Sequence, residues 1–242
     1  MLRARRVSWV LAASFALASP AYAYRPFDGT DADVAEYRTI ELELGPLGYL
    51  RSEDKSALVA PAAIFNLGFL PRWELVIQGT GVYGASSPPS FIDGGVFVKH
   101  VLREGILQEK SGLSIASEVG LLLPTLGVPG VSQAGPYIGL IATYGWERTF
   151  LFHLNLSLAR NTDAQPDVFV GTILEGVPKS RVRPVAELYV DRHGNATTPS
   201  VLVGCIFRAI KHLDFDAATR LAWFMEAPAF EIRAGLTWTI PL

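Results

Sequence analysis

The sequence predicts an all-β protein, an antiparallel up-and-down transmembrane β-barrel of about 12 strands. Three observations carry this expectation. The composition is too apolar for an ordinary soluble chain, apolar and polar residues alternate with period two along most of the sequence, and no apolar run after residue 23 is long enough to span as a helix. Half of the 242 residues are apolar, 18% are charged, and the mean hydropathy is +0.27. A wall that faces lipid can carry apolar side chains on its outside, which a soluble surface cannot do to the same extent. The net charge of −2 leaves no electrostatic footprint for nucleic acid. Cys205 is the only cysteine, which excludes an internal disulfide framework.

The elements follow in chain order. Arg3, Arg5 and Arg6 form a basic start, Val7 to Ala18 an apolar stretch, and Ala21-Tyr22-Ala23 a small-residue cleavage site. Residues 1–23 therefore read as a cleavable export signal, cut after Ala23. Residues 24–36 form an acidic segment with Asp28, Asp31 and Asp33, a candidate plug because it precedes the first strand and starts on the periplasmic side. As a group, those three acids read as a solvated loop rather than a cation site.

The barrel is expected over 37–242, with strands at 37–50, 55–68, 72–83, 91–103, 111–123, 135–147, 149–160, 167–177, 181–191, 199–210, 212–219 and 229–240. Thr39-Ile40-Glu41-Leu42-Glu43-Leu44 alternates strictly, so one face is oily and the other wet. Trp73 to Gln78 repeats the pattern loosely, and Phe152 to Leu158 repeats it cleanly, with His153, Asn155 and Ser157 in one phase. Ile138, Leu140, Ala142, Tyr144 and Trp146 share one oily face, and Phe230, Ile232, Ala234, Leu236, Trp238 and Ile240 share another. Pro184 demands an edge, a bulge or a strand end. Ser86-Ser87-Pro88-Pro89, Pro124 to Gly130, Asn161-Thr162-Asp163 and Asp191 to Asn195 supply loop chemistry between strands. An even strand number brings both ends of the sheet to the periplasmic side.

Arg233-Ala-Gly235-Leu-Thr-Trp238-Thr-Ile240 resembles the C-terminal signal by which insertion machinery reads outer-membrane barrels, with Pro241-Leu242 where a terminal Phe is usual. The opening Arg25-Pro26-Phe27, Asp31-Ala32-Asp33 and Ala35-Glu36 resembles the outer-membrane family named for the MetA pathway of phenol degradation, often labelled transporter-like. The likeness continues through Leu123-Pro124-Thr125, Phe152 to Leu156, Val185 to Tyr189 and Gly235 to Trp238. Gly29-Thr30 stands where members usually have Thr-Asp, and the loop after Pro124-Thr125 is short. The resemblance implies a barrel that moves small, often aromatic, compounds, and it implies no catalytic residue.

If the oily phase meets the bilayer and lipopolysaccharide, the other phase lines the lumen. That phase holds Glu41, Glu43, Glu74, Asp93, Lys99, Glu118, His153, Asn155, Arg183, Glu187, Asp214, Asp216, Glu231 and Arg233. Charges of both signs can pair into a filling, as in other small barrels, or form a selectivity lining for a small solute. A Ser-His-acid set from Ser157, His153 and Glu187 is imaginable, but the His-x-Asn-x-Ser spacing does not match the His-x-Ser of barrel deacylases. His193 reads as a turn residue, and His100 and His212 as strand-end residues. Asp214 and Asp216 share a face, yet no Gly-containing acidic loop accompanies them, so neither metal nor cofactor is expected. The sequence thus points to a non-enzymatic, passive, narrow channel or binding barrel for small solutes. A structural barrel with a side-chain-filled lumen, or a soluble periplasmic β-sandwich, are the alternatives.

Overall fold

The computed structural model describes residues 25–53, 55–84, 88–127, 133–146, 149–160, 164–176, 180–224 and 227–242. The expected export signal lies outside these residues, as do the 161–163 loop and parts of the loops at 86–89 and 124–130.

Twelve strands follow one another: β1 (Thr39–Ser52), β2 (Lys55–Leu70), β3 (Trp73–Gly84), β4 (Ser90–Arg103), β5 (Ser114–Leu122), β6 (Gly135–Trp146), β7 (Phe150–Arg160), β8 (Pro166–Gly176), β9 (Val182–His193), β10 (Ala196–Ile210), β11 (Leu213–Phe224) and β12 (Ala227–Pro241). Each pairs antiparallel with its sequence neighbours, and β1 pairs with β12, so the sheet closes into a barrel with no free edge. Closure rules out the two-sheet sandwich. A single 3-10 turn, Ile106–Gln108, interrupts the β4–β5 connection. We call the end that carries the start of β1 and the end of β12 the terminal rim, and the opposite end the far rim.

The expected phases hold. Ile138, Leu140, Tyr144 and Trp146 stand on the outside, as do Phe152, Leu154, Leu156 and Leu158, each between two-fifths and three-fifths exposed. Outward aromatic rings gather at the rims: Trp73, Trp146, Phe152 and Trp238 at the terminal rim, and Tyr49, Tyr83, Phe91, Trp223 and Phe230 at the far one. Such rings suit the polar boundary of a bilayer, with the aliphatic band between them facing hydrocarbon.

Strand ends depart from expectation most at β5, which starts at Ser114 rather than 111, at β10, which starts at Ala196 rather than 199, and at the ends of β9 and β11. Strand β11 runs to Phe224 rather than 219, and β9 runs through His193, leaving only Gly194-Asn195 as the turn into β10. Gly194 has φ +57, the left-handed conformation a two-residue hairpin turn requires. Pro184 is the third residue of β9, opposite Cys205 of β10 but just past the last β8–β9 partners, Glu175 and Val185, so it stands at a ladder end on the β8 side.

Candidate functional site

The inward phase of the barrel does not enclose an open bore, because the chain before β1 turns into it. At the terminal rim Arg38 donates its N–H to Gly68 O (2.7 Å) and Thr39 donates to Glu36 O (3.0 Å). A Cβ on Gly68 would collide with the carbonyls of Ala35 and Glu36, so only hydrogen fits where the segment enters. Further in, Ala35 donates to Glu74, Ala32 to Thr143 Oγ1 (3.1 Å), and Thr30 to Asn155 Oδ1 (2.9 Å). Asn155 Nδ2 donates back to Thr30 O (2.8 Å), a two-point match like a rung of a sheet. The N–H groups of Asp28 and Gly29 both end on the Glu187 carboxylate (2.8 and 2.7 Å). Pro26 O accepts from Arg233 (3.1 Å), and Arg25 donates its N–H to Glu43 (3.0 Å). Buried backbone polar groups need partners, and here lumen side chains provide what a strand neighbour would.

One side chain anchors the segment by apolar contact. Phe27 is buried against Ile173, Val185, Leu202, Ile206 and Ala218, which lie on the inner face of β8 to β11. Ala32 is likewise buried against Ala116 and Ile141.

Charges complete the fit. Asp28 accepts from Arg233 (3.2 Å) and lies 3.7 Å from Arg220, while Glu231 sits between the same two arginines at 2.7 and 3.0 Å. Arg220 also donates to Tyr189 Oη. The Arg25 guanidinium meets Asp216 through two hydrogen bonds, both 3.1 Å. Lys99 donates to Thr30 Oγ1 (3.1 Å) and pairs with Asp31 (3.6 Å). Gln108, from the 3-10 turn, donates to Ala32 O and to Asp33 Oδ1. Burial, then the neighbouring Asp31, pushes the Asp33 carboxyl up to about 6. A second network meets the segment at Thr143, which also accepts from Ala32: Arg183 joins Glu175 (3.0 Å) to Asp214 (2.8 Å), Arg208 reaches Asp214 (3.2 Å), and His153 stands between Thr143 (2.9 Å) and Glu175 (3.6 Å).

Of the residues assigned to the lumen from sequence, Glu43, Glu74, Lys99, Glu118, His153, Asn155, Arg183, Glu187, Asp216 and Glu231 are buried. Glu41 and Asp214 border a cavity toward the terminal rim, and Asp93 and Arg233 border one toward the far rim. The N-terminal segment brings Glu43, Glu74, Lys99, Asn155, Glu187, Asp216 and Arg233 into one constellation. Glu118 joins through the Lys99 it faces across the β4–β5 ladder, while Arg183 and Asp214 belong to the second network.

Two expectations are corrected. His193 is not a turn residue but the last residue of β9, buried and 4.0 Å from Asp167. The acidic segment is not a solvated loop either, since Asp28 is enclosed between arginines. Sequence reading missed Arg220, Glu175, Thr143 and Tyr189. Period-two continuation of β11 from Asp216 would have found Arg220.

The segment divides the lumen into two cavities that share Arg25. The cavity toward the terminal rim, about 300 Å³, is lined chiefly by charged and hydroxyl side chains such as Glu41, Glu74, Lys99 and Asp214. The one toward the far rim, about 90 Å³, is lined mainly by aliphatic residues including Leu50, Ile64, Val82 and Ile92. Among the described residues no group of three or more His, Cys, Asp or Glu is arranged to hold a metal ion.

No known family model matches the sequence, and no curated protein matches it. Solved structures do match the fold. An outer membrane channel from Pseudomonas putida F1 superposes with a TM-score of 0.58 at 11% identity, over 88% of this chain and 99% of that one. The NanC porin gives 0.56 at 8% identity over 82% and 98%, and the KdgM porin in complex with disordered oligogalacturonate gives 0.52 at 10% identity over 83% and 98%. The architecture is that of an outer-membrane, porin-like barrel. The resemblance to the phenol-degradation family noted in the sequence is reached only at this coarser level.

Proposed function

We propose that this chain is a passive outer-membrane channel or binding barrel for small solutes, aromatic or hydrophobic ones included, and that residues 25–36 are its plug. The observation that carries the reading is the way the segment is held: by side chains of the lumen wall, not as a strand of the sheet. Side-chain contacts of this kind can be exchanged for water without opening the barrel. In this reading the wall meets phospholipid and lipopolysaccharide, the last strand carries the signal for the insertion machinery, and export ends with cleavage after Ala23. The terminal rim then faces the periplasm. The likeness to the phenol-pathway family supports an aromatic solute, and the porin neighbours support diffusion over catalysis.

Planar-bilayer conductance tests the proposal. The full chain should give rare, brief openings, and deletion of residues 25–36 should give a sustained current. The ion pairs Arg183–Asp214 and Arg183–Glu175 favour a second reading, a barrel filled by its own side chains that conducts nothing. A folded deletion variant that passes no current would establish that reading and sink the first.

A further inference from the structure

At the terminal rim, the outer wall of β9 to β11 sets a broad apolar row beside cations that have no counter-ion. Val182 and Phe215 are the direct partners of Phe207 on either side, so the three stand abreast at one height. All three face outward, each more than a third exposed, and three adjoining strands make the row about 10 Å wide. Ile210 extends the apolar surface toward the rim. Arg181, one residue before Val182, is exposed and holds its guanidinium over the Phe207 ring, 5.1 Å from the centroid. Its carbonyl accepts from the Arg208 N–H (2.8 Å), which pins the backbone at that height. The charge therefore stands on the lipid side of the wall, at the edge of the aliphatic band.

No carboxylate answers that charge. Among the described residues the Arg181 guanidinium makes no ion pair and no hydrogen bond. Lys211, in the turn from β10 to β11, is exposed and equally unpaired, and it also borders the mouth of the terminal-rim cavity. The only acids between Gly176 and Leu213 are Glu187 and Asp191, and both are buried on the inner face. Across the barrel the rim is built otherwise, since Lys110 pairs there with Glu104 of its own turn. A guanidinium carries five N–H donors, and the face of a ring occupies none of them.

We infer that the outer wall of β9 to β11 at the terminal rim is a binding site for an anionic phospholipid, with the phosphate on Arg181 beside Lys211 and the acyl chains along Val182, Phe207 and Phe215. The planar guanidinium matches two phosphate oxygens at once, and the ring beneath it keeps the fork at the headgroup level. Lys211 adds a second charge at the same rim, and the apolar row gives the chains a broad surface to cover. A choline headgroup brings its own cation to the site and loses most of this attraction. The inference rests on the reading that turns the terminal rim toward the periplasm, where the leaflet is phospholipid. Facing the other way, the same cations would meet the phosphates of lipid A.

The test titrates the folded full chain in detergent with phosphatidylglycerol and with phosphatidylcholine of the same acyl chains, counting bound lipid by native mass spectrometry. Phosphatidylglycerol should be held about 25-fold more tightly, because each interfacial cation contributes about fivefold toward an anionic lipid. Arg181→Gln should cut that preference about fivefold, and Arg181→Gln with Lys211→Gln should abolish it. Arg72→Gln with Lys110→Gln, on the opposite side of the rim, should leave it unchanged. All four positions are exposed, and heat-modifiable migration checks that each barrel is folded. Equal retention of the two lipids, or a preference that survives in the Arg181 and Lys211 double variant, overturns the site. So does displacement of the lipid by an equal concentration of glycerol 1-phosphate, which would make this a site for free phosphate. Lipid A held more tightly than phosphatidylglycerol through the same two cations overturns it as well, and takes the orientation of the barrel with it. Deletion of residues 25–36 leaves these residues in place whether or not it conducts, so the site and the axial channel fail separately.

Discussion

From β5 to β10 the strands pair in five successive ladders without a register shift, whereas the four ladders from β12 to β4 each slip or lapse at mid-height. The regular half carries bulky inward side chains, among them His153, Ile173, Glu175 and Glu187, that fill the lumen and receive Phe27. The irregular half carries Gly, Ala and Pro where its ladders slip, and the far-rim cavity lies against them. The difference teaches that filling and regularity go together. A strand whose inward residues are large is held in alternation by packing, while small residues let the backbone bulge at little cost.

Four predictions bear on this contrast. The largest effect is expected where the two halves meet, at Arg220, which holds Glu231, Asp28 and Tyr189. Arg220→Met leaves two buried carboxylates, Asp28 and Glu231, to share Arg233 alone and should destabilise the barrel by about 3 kcal/mol, read as a lower unfolding temperature in detergent. An unchanged temperature would mean that the cluster is already hydrated.

Phe27→Ala removes the apolar anchor of the segment on the regular half. At about 3 kcal/mol for a buried Phe truncation, it should raise the open-to-closed ratio of single channels by about a hundredfold. The barrel's own unfolding should hardly move. If unfolding drops instead, Phe27 is core rather than latch.

Hydrogen exchange should separate the halves directly. Amides of β6 to β9 should exchange slowest, and those at 45–48, 59–62 and 79–81 about a hundredfold faster. Equal protection would erase the contrast. The smallest effect is on pH. Because docking raises the Asp33 carboxyl to about 6 from an ordinary value near 3.8, docking is favoured when Asp33 is protonated. That contribution is complete below pH 4 and is lost as pH rises through 6. Open probability should therefore climb between pH 4 and 7, and less so in Asp33→Asn. Asp31 and Lys99, which face Asp33 in the same cavity, remain in both proteins.

Much of this was legible in the sequence. All twelve strands and the lipid-facing phase follow from alternation, because a lipid-exposed position tolerates little but apolar residues. The lumen phase was legible wherever it is polar, as at Glu41 and Glu43 or His153 and Asn155. It failed where the inner face is itself apolar or small. Phe169 and Ile173 sit inward beside Glu175, and Ala217 and Ala218 face opposite sides next to Arg220, so neither stretch shows contrast. The bulges were invisible for a related reason, since a one-residue slip among Gly, Ala and Pro changes no pattern. The segment's partners lie far away along the chain, and no local signal reveals them.

That separation sets the order in which this molecule can be made. Arg25 meets Asp216 across 191 residues, and Arg233 meets Pro26 across 207, so the firmest holds on the first residues come from the last two strands to be synthesised. Until that final hairpin arrives, the entering segment lacks the ion pairs of Arg25 and Asp28. Docking of the segment is therefore complete only inside a finished cylinder.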